Sequence, residues 1–325
     1  MPAKRNQYGM STTDEKFIEI WNRLGSPSLV ATELHIAPQA VHKRRRKIEQ
    51  RCGIELLTSI DSRTQQQKQY RVSEKVRGRL AVDNGNILIG SDAHYWPDLV
   101  STAHRGFVKL VRQFKPVAVI QNGDVLDAAT ISRWPRISWE NRPTVRQELE
   151  VVQDRLEEIE KASLNSRFFW TFGNHDGRFE LNLAKLAPEY EGVAGFSLKD
   201  HFPRWTPCMS VMINESCMVK HRWHSGIHAV YNNTLRSGLS IVTGHLHSMK
   251  VTPWSDYTGD RYGVDSGTLA DPWGPQFEAY MEDNPRSWRA GFVVLTFKDG
   301  QLMPPELVQV IGENKIWFRG NVIEV

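Results

Sequence analysis

Three apolar runs in the first half of the chain each end at residues that can carry chemistry. Residues 86–90, 117–121 and 168–172 lead into Ser91-Asp92-Ala93-His94, Asn122-Gly123-Asp124 with Asp127 close behind, and Gly173-Asn174-His175-Asp176. A short apolar run bounded by polar residues and glycine is typical of a buried strand. In α/β sheets, ligands bind beyond the carboxyl ends of the parallel strands. The pattern therefore predicts one site at one edge of the sheet.

Amphipathic segments separate these runs. Residues 103–114 and 145–159 carry apolar side chains at steps of three and four, which predicts helices. The resulting alternation of strands and helices implies right-handed crossovers and a largely parallel sheet. Beyond about residue 205, the apolar runs are shorter and turn residues separate them, so mostly β structure with few helices is expected there.

The first 57 residues predict three short helices. Apolar side chains recur at helical spacing over residues 14–24, and Gly25-Ser26-Pro27 ends this helix and opens a second one. After a turn, Pro38 begins a third helix. We interpret residues 1–57 as a small helical domain, residues 58–80 as a polar linker, and residues 81–325 as one large domain.

The small domain resembles a helix-turn-helix DNA-binding domain. Ala31 stands where the first helix of that motif must be small, Ile36 packs the turn, and Val41 anchors the recognition helix. His35 replaces the usual glycine, and histidine accepts a positive φ better than most residues. The resemblance implies DNA contacts from Gln39, His42, Lys43, Arg44, Arg45, Arg46 and Lys47. A helical domain used only for assembly is the alternative.

The net charge of +4 hides an uneven distribution. Residues 1–80 hold 16 Lys and Arg against 8 Asp and Glu, whereas the remaining 245 residues hold 25 against 29. A polyanion partner, such as DNA, is therefore expected for the N-terminal part. Met1 to Gln7 lead into polar sequence, so we expect no signal peptide; the sequence shows no membrane-length apolar run, and its three cysteines lack C-x-x-C spacing. We expect a cytoplasmic protein, in a bacterial host or virus-infected cell, with no membrane partner.

Two later segments supply histidines. Trp223-His224-Ser225-Gly226 follows one apolar run, and Gly244-His245-Leu246-His247 follows another. In an extended segment, His245 and His247 would point to the same side because side chains alternate. His221 competes with His224 as the functional histidine of the first of these segments, the fourth polar motif in chain order, and we prefer His224 because the Ser-Gly after it lets the backbone turn. Isolated histidines are more often hydrogen-bonded structure, which is our interpretation of His104, His201 and His228.

The polar motifs form an ordered set. In chain order they are Asp92-x-His94, Gly123-Asp124-x-x-Asp127, Gly173-Asn174-His175-Asp176, His224 and Gly244-His245-x-His247. Together they resemble the five motifs of the calcineurin-like metallophosphoesterases, over about residues 86–250. Five motifs in order are far more specific than any one of them. The resemblance implies a two-sheet α/β sandwich with helices outside, preceded here by the all-α domain, an architecture similar to that of phage or prophage proteins.

The same resemblance implies a site for two divalent metal ions. The implied ligands are Asp92, His94 and His247 for one ion, Asn174, His224 and His245 for the other, and Asp124 bridging both. Manganese is our first choice, and iron, zinc and nickel accept the same donors. His175 would protonate the leaving oxygen or stabilise its charge. Asp127 and Asp176 would orient metal-binding histidines.

The expected reaction is hydrolysis of a phosphate ester by in-line attack of a hydroxide that bridges the two ions. The basic N-terminal domain favours a phosphodiesterase or nuclease acting on DNA, since a tethered domain keeps the substrate close. Two alternatives stay open: a phosphomonoesterase for nucleotides or phosphoproteins, and a DNA-bound regulator without turnover. An oligomer is compatible with all three, because helix-turn-helix domains often bind DNA as dimers.

Four residues near these motifs keep two interpretations each. Arg178 would contact phosphate or cap a surface helix. The tryptophans of the C-terminal region would stack on nucleobases or fill the core of a loop-rich structure; they are Trp254, Trp273 and Trp288.

Overall fold

The computed structural model describes residues 12–56, 58, 76–133, 141–281 and 284–325. The chain divides into two compact units, with the boundary between residues 72 and 73. The predicted linker, residues 58–80, lies outside the described residues except for residue 58 and residues 76–80. Its last four residues form a strand of the second unit, Arg77–Leu80.

The described part of the first unit, residues 12–56 and 58, contains three helices where the sequence predicts them. They are α1 (Asp14–Leu24), α2 (Pro27–Glu33) and α3 (Pro38–Cys52). Thr13 caps α1 by accepting a backbone N–H, and Gly25 ends it with a φ of 56°. In the turn between α2 and α3, His35 has a φ of 50°, so this histidine does adopt the glycine-like conformation.

A small apolar core joins these helices. Ala31, Val41 and Ile48 are buried, as their spacing predicts, and they pack with Phe17 and Trp21 of α1. The core explains why so short a segment forms helices, because most helical stability in proteins comes from packing an apolar face.

The described part of the second unit forms two β-sheets. The six-stranded sheet has the spatial order β1 (Arg77–Leu80), β6 (Ser210–Ile213), β7 (Cys217–Val219), β8 (Ser240–Thr243), β10 (Gly259–Asp265) and β9 (Lys250–Asp256). The nine-stranded sheet has the order β15 (Asn321–Glu324), β14 (Lys315–Phe318), β13 (Glu306–Gly312), β11 (Gly291–Lys298), β2 (Gly85–Gly90), β3 (Ala118–Gln121), β4 (Arg167–Thr171) and β5 (Thr206–Cys208), with β12 (Gln301–Leu302) beside β11.

Helices connect and cover these strands. They are α4 (Thr102–Phe114), α5 (Val145–Ala162), α6 (Gly177–Leu186), α7 (Leu198–His201), α8 (Ala229–Ser237) and α9 (Pro275–Met281), with a 3-10 turn at Pro188–Tyr190. Within the described ranges, no helix is both long and apolar enough to cross a membrane. After residue 205, β structure dominates as expected, and α8 and α9 are the helices that interrupt it in the described ranges.

Alternation along the central strands separates two cores. Ile87 and Ile89 of β2 pack with residues of the other sheet, including Val219. Leu88, between them, packs with Phe107 of α4. Successive side chains on a strand point to opposite faces, so the nine-stranded sheet is covered on both sides. The two-sheet α/β architecture predicted from the sequence is therefore confirmed.

Strand direction brings the motifs together. β2, β3 and β4 are parallel neighbours, as predicted, and each ends just before one of the first three motifs. β7 and β8 are parallel neighbours in the six-stranded sheet, and they end before the two histidine segments. The motif loops therefore come from the carboxyl ends of five strands in two sheets.

Candidate metal centre

The first group of metal-type donors contains Asp92, His94 and His247. One donor atom from each lies within 4.8 Å of the others. Nε2 of His247 is 3.1 Å from Oδ1 of Asp92, and the rings of His94 and His247 pack edge to face with centroids 5.6 Å apart. All three side chains are buried. This group joins the loop after β2 to the loop after β8.

The second group contains Asp124, His221 and His245, whose donor atoms also lie within 4.8 Å of one another. Nε2 of His221 is 3.1 Å from Oδ2 of Asp124 and 4.0 Å from Oδ1 of Asp92. Nδ1 of His221 donates to the carbonyl oxygen of Asn122 at 2.8 Å, so Nε2 is the nitrogen that faces the carboxylates. His221 therefore places the two groups side by side.

The second donor group contains His221, whereas the sequence favours His224 as the ligand. β7 ends at Val219, so His221 emerges directly from the strand end, whereas His224 comes three residues later. His224 stacks on Trp223 with ring centroids 5.2 Å apart and belongs to neither group. The Ser-Gly after His224 favours that residue from the sequence alone. In the structure, β7 ends two residues before His221, and this places His221 rather than His224 next to Asp124. The geometry favours His221.

Asn174 follows β4 and adds an oxygen donor. Its Oδ1 is buried and has no hydrogen-bond partner among the described residues, and the same holds for Nδ1 of His247 and for Nε2 of His224. Buried polar atoms without partners are costly and need an explanation, such as an ion. Oxygen and imidazole donors suit borderline divalent metals, so the residues present fit the two ions that the motifs imply.

The electrostatics of the site favour positive charge. Burial alone lowers the pKa of His221, but the negative charges of Asp124 and Asp92 outweigh burial and raise this pKa to about 10. Burial alone raises the pKa of Asp124, but His221 and the neighbouring histidines hold it well below its usual value. Burial raises the pKa of Asp92 as well, but the charges of His247 and His221 lower it by more, so both carboxylates are charged near neutral pH and attract cations.

Asp127 contacts two histidines. Its Oδ1 is 2.8 Å from Nδ1 of His94 and 3.1 Å from Nδ1 of His175. Burial raises the pKa of Asp127, but the hydrogen bonds from His175 and His94 lower it by more. The pKa therefore lies below its usual value, and the group is a carboxylate. With Nδ1 of His94 held by Asp127, Nε2 is the ring nitrogen left for a metal, an arrangement common among metal-binding histidines.

Asp176 contacts the backbone rather than a histidine. Its two oxygens accept N–H groups from the amides of Asp124, Val125, Leu126 and Gly173 and from the indole of Trp170. The role expected from the resemblance, orienting a histidine, therefore does not match these contacts. Asp176 instead fixes the backbone of the loops that carry Asp124 and Asn174.

His175 and Arg178 lie together beside Asp127. The amide of His175 donates to Oδ1 of Asp124 at 2.8 Å. Nη1 of Arg178 donates to the carbonyl oxygen of Asp127 at 3.0 Å, and its Nη2 is 3.1 Å from Nε2 of His175. Arg178 is thus fixed at the site, which favours phosphate contact over capping of a surface helix.

Several candidate ligands have a strained backbone. Positive φ angles occur at Asp92 (52°), His94 (39°), Asp124 (50°), His245 (71°) and His247 (55°). Such conformations cost about 1–3 kcal/mol each and cluster at functional sites. The extended conformation expected for residues 245–247 is therefore wrong, because β8 ends at Thr243 and both histidines have a positive φ.

Sequence reasoning missed Glu148. This buried residue of α5 accepts the amides of Ala128 and Ala129, and so it holds the loop that follows Asp127. Burial, and after it the charge of Asp127, raise the pKa of Glu148 to about 8. The available signal was its position, since a charged residue three after Val145 lies on the apolar face of the helix.

Two of the histidines read as structural are hydrogen bonded within the fold. His104 lies between the hydroxyl of Tyr95, at 2.9 Å, and Glu158, at 2.8 Å. Nε2 of His201 is 2.8 Å from the carbonyl oxygen of Gly195.

The third helix of the first unit exposes part of the predicted DNA-contacting set. The exposed side chains are Gln39, His42, Lys43, Arg46 and Lys47. Arg44 instead pairs with Asp14 at 3.2 Å, and Arg45 pairs with Glu49 at 2.9 Å. These two arginines stabilise the unit itself and are less available to a partner.

Two phage proteins are similar to this chain over most of their length. No family model matches it. The chain is 25% identical to the Gene 54 protein of Mycobacterium phage L5 over 223 residues, which cover 62% of this chain and 87% of that protein. It is 25% identical to the Gene 54 protein of Mycobacterium phage D29 over 240 residues, covering 68% and 92%.

Solved structures with a similar arrangement are distant. Vps29 from Entamoeba histolytica, crystallised with zinc, is 11% identical, covers 74% of this chain and 98% of its own, and gives a TM-score of 0.38. The phosphoesterase Yfce from E. coli is 16% identical (68% and 97%, TM-score 0.32), and the nuclease MPE from Pseudomonas putida is 14% identical (67% and 86%, TM-score 0.30). Similarities this low assign no activity to this chain.

Gly173 provides a test of the crowded centre. A Cβ at this position would lie 2.0 Å from Oδ1 of Asp124 and 2.5 Å from its backbone nitrogen. We expect Gly173→Ala to displace Asp124 and to reduce bound manganese from about two ions per chain to less than about one, measured by plasma mass spectrometry after reloading. Gly312→Ala is the control, because a Cβ at Gly312 meets nothing within 4 Å. Full metal content in folded Gly173→Ala protein would contradict the assignment.

Proposed function

We propose that the second unit is a metal-dependent phosphoesterase with a site for two divalent ions. Asp92, His94 and His247 would hold one ion, Asn174, His221 and His245 would hold the other, and Asp124 would serve both. The contact of His221 with both carboxylates carries the proposal, because it sets two donor groups side by side. When bound, two neighbouring ions polarise a phosphate ester and lower the pKa of a shared water.

His175 is the proposed proton donor to the leaving oxygen. Nδ1 of His175 is held by Asp127, so Nε2 is the atom that can reach a substrate. In the structure Nε2 faces Nη2 of Arg178. A phosphate oxygen that accepts from Arg178 would draw Nη2 away and leave Nε2 free to carry a proton. Arg178 thus positions phosphate while His175 acts on the leaving group.

We infer DNA as the substrate from the charge of the first unit. Lys43, Arg46 and Lys47 project from α3 into solvent, and the surrounding part of the chain is the basic part. Basic side chains on one helix attract a phosphate backbone, and a tethered module raises the local concentration of DNA at a linked active site. This inference selects a phosphodiester over a phosphomonoester.

Two model esters test the reaction class. Metal-stripped protein reloaded with manganese is expected to hydrolyse bis-p-nitrophenyl phosphate with a higher kcat/KM than p-nitrophenyl phosphate. Asp124→Asn should abolish both activities, because it removes a charge shared by the two ions. His175→Ala should lower kcat by about 100-fold while metal content is retained. Preference for the monoester would instead support a phosphatase, and inactivity on both would support a binding protein.

The choice between His221 and His224 has a direct test. His221→Ala should lose manganese and activity, because its Nε2 faces both carboxylates. His224→Ala should keep the metal content and at least about half of the activity, as expected for a residue outside the donor groups. The two variants form a matched pair three residues apart. The opposite result would restore His224 as the ligand.

Salt dependence tests DNA binding by α3. In the full chain, replacing Lys43, Arg46 and Lys47 with alanine should weaken binding to duplex DNA. It should also reduce the slope of log K against log salt by about 3. The control replaces three exposed basic residues of the second unit, Arg112, Lys298 and Lys315. If the control changes the slope equally, or the triple variant leaves it unchanged, α3 is not the DNA-binding surface.

A further inference from the structure

An aromatic and cationic cluster adjoins His247. The ring of Trp288 lies edge to face against His247, with centroids 4.3 Å apart. Cζ of Arg286 lies 5.7 Å from the centre of the Trp288 ring and 4.7 Å from that of Trp273. A continuous chain of contacts therefore leads from a candidate metal ligand, through Trp288 and Arg286, to Trp273.

Arg286 has donors without acceptors. Its Nε and Nη1 are buried, and neither has a hydrogen-bond partner in the described parts of the chain. Stacking on indole rings does not satisfy N–H groups, and a buried donor left unpaired is costly. A guanidinium in this state suits a phosphate oxygen, which accepts paired N–H groups well.

Trp273 presents its indole to solvent, with 74% of the residue exposed. The turn that carries it is ordered by its own hydrogen bonds. The amide of Trp273 donates to Oδ1 of Asp271 at 2.9 Å, and the amide of Gly274 donates to the carbonyl oxygen of Asp271 at 2.9 Å. A large apolar ring held in the open beside a cation resembles the platforms on which nucleobases stack.

The cluster is fixed to the metal-centre loops at both ends. Before it, the amide of Leu269 donates to the carbonyl oxygen of Ser91, next to Asp92. After it, the amide of Arg289 donates to the carbonyl oxygen of His247. Both bonds are 2.8 Å long. Sites built on supported backbone hold their geometry well, so a ligand on this cluster would lie at a defined distance from the centre.

We propose that Trp273 and Arg286 form a subsite for one nucleotide of single-stranded DNA beside the scissile phosphate. The nucleobase stacks on Trp273, and the next phosphate accepts N–H groups from Arg286. The proposal rests on the phosphodiesterase function proposed above. It selects single strands because bases in a duplex are covered on both faces and cannot reach an aromatic platform without unstacking.

Three substrates separate the two contacts. They are methyl p-nitrophenyl phosphate, thymidine 5′-(p-nitrophenyl phosphate), and the same thymidine ester with a 3′-phosphate. For the manganese-loaded full chain, kcat/KM should rise about ten-fold with the base and again with the added phosphate. Trp273→Ala should remove the first increase and Arg286→Ala the second, while the methyl ester is hydrolysed as before. Trp273→Phe should restore most of the first increase.

A control and a binding measurement make the outcomes distinct. Trp317→Ala, at a tryptophan 44% exposed on β14, should change none of the three rates. Equal hydrolysis of all three substrates by the unaltered chain would overturn the subsite and leave the phosphodiesterase proposal standing. If no substrate is hydrolysed, that proposal fails. Calorimetry of thymidine 3′,5′-bisphosphate with the metal-free chain then decides the subsite, which is supported if Trp273→Ala abolishes binding and overturned otherwise.

Discussion

One buried carboxylate, that of Asp176, holds the centre of the second unit together. Five N–H groups converge on it, four of them backbone amides from the loops after β3 and β4. Burial, and after it the charge of Asp124, raise the pKa of Asp176 to about 6, whereas the N–H donors favour the charged form. The carboxylate replaces the strand partners that these amides lose where the sheet ends, and so it allows Asp124 and Asn174 to emerge side by side.

Bonds between the loops sustain the strained conformations around this carboxylate. The amide of Asp92 donates to the carbonyl oxygen of Gly123 at 2.8 Å, and the amide of His94 donates to that of Asp124 at 2.9 Å. The hydroxyl of Thr268 donates to the carbonyl oxygen of Asp92 at 2.6 Å. Left-handed residues persist where their surroundings over-determine them. Here the loops after β2 and β3 hold each other in place through these hydrogen bonds, so the two donor groups depend on each other for their conformation.

Local sequence patterns predicted the strands and helices whose formation depends on residues close together in the chain. Apolar runs predicted β2, β3 and β4, and helical spacing predicted α1 to α5, whose apolar faces are packed. The motif order brought Asp92 and His247 to one site despite their separation in sequence. His221 was passed over because the choice depended on where β7 ends. The contacts of Asp176 with the loop after β3, and those of Glu148 with Ala128 and Ala129, could not be read from the sequence, since they join separate segments of the chain.

The candidate metal centre cannot be completed until β11, late in the sequence, has been synthesised. β11 lies in the middle of the nine-stranded sheet and pairs antiparallel with β2, with Val293 opposite Ile89. Pairing between strands so far apart in the chain forms late in folding, because the long intervening segment must close into a loop before β2 and β11 can meet. While the chain is still on the ribosome and ends before β11, β2 has one open edge and the loop of His247 lacks its bond from Arg289. The nascent protein therefore has no finished site, and a chain cut short there would leave an apolar strand edge open to aggregation.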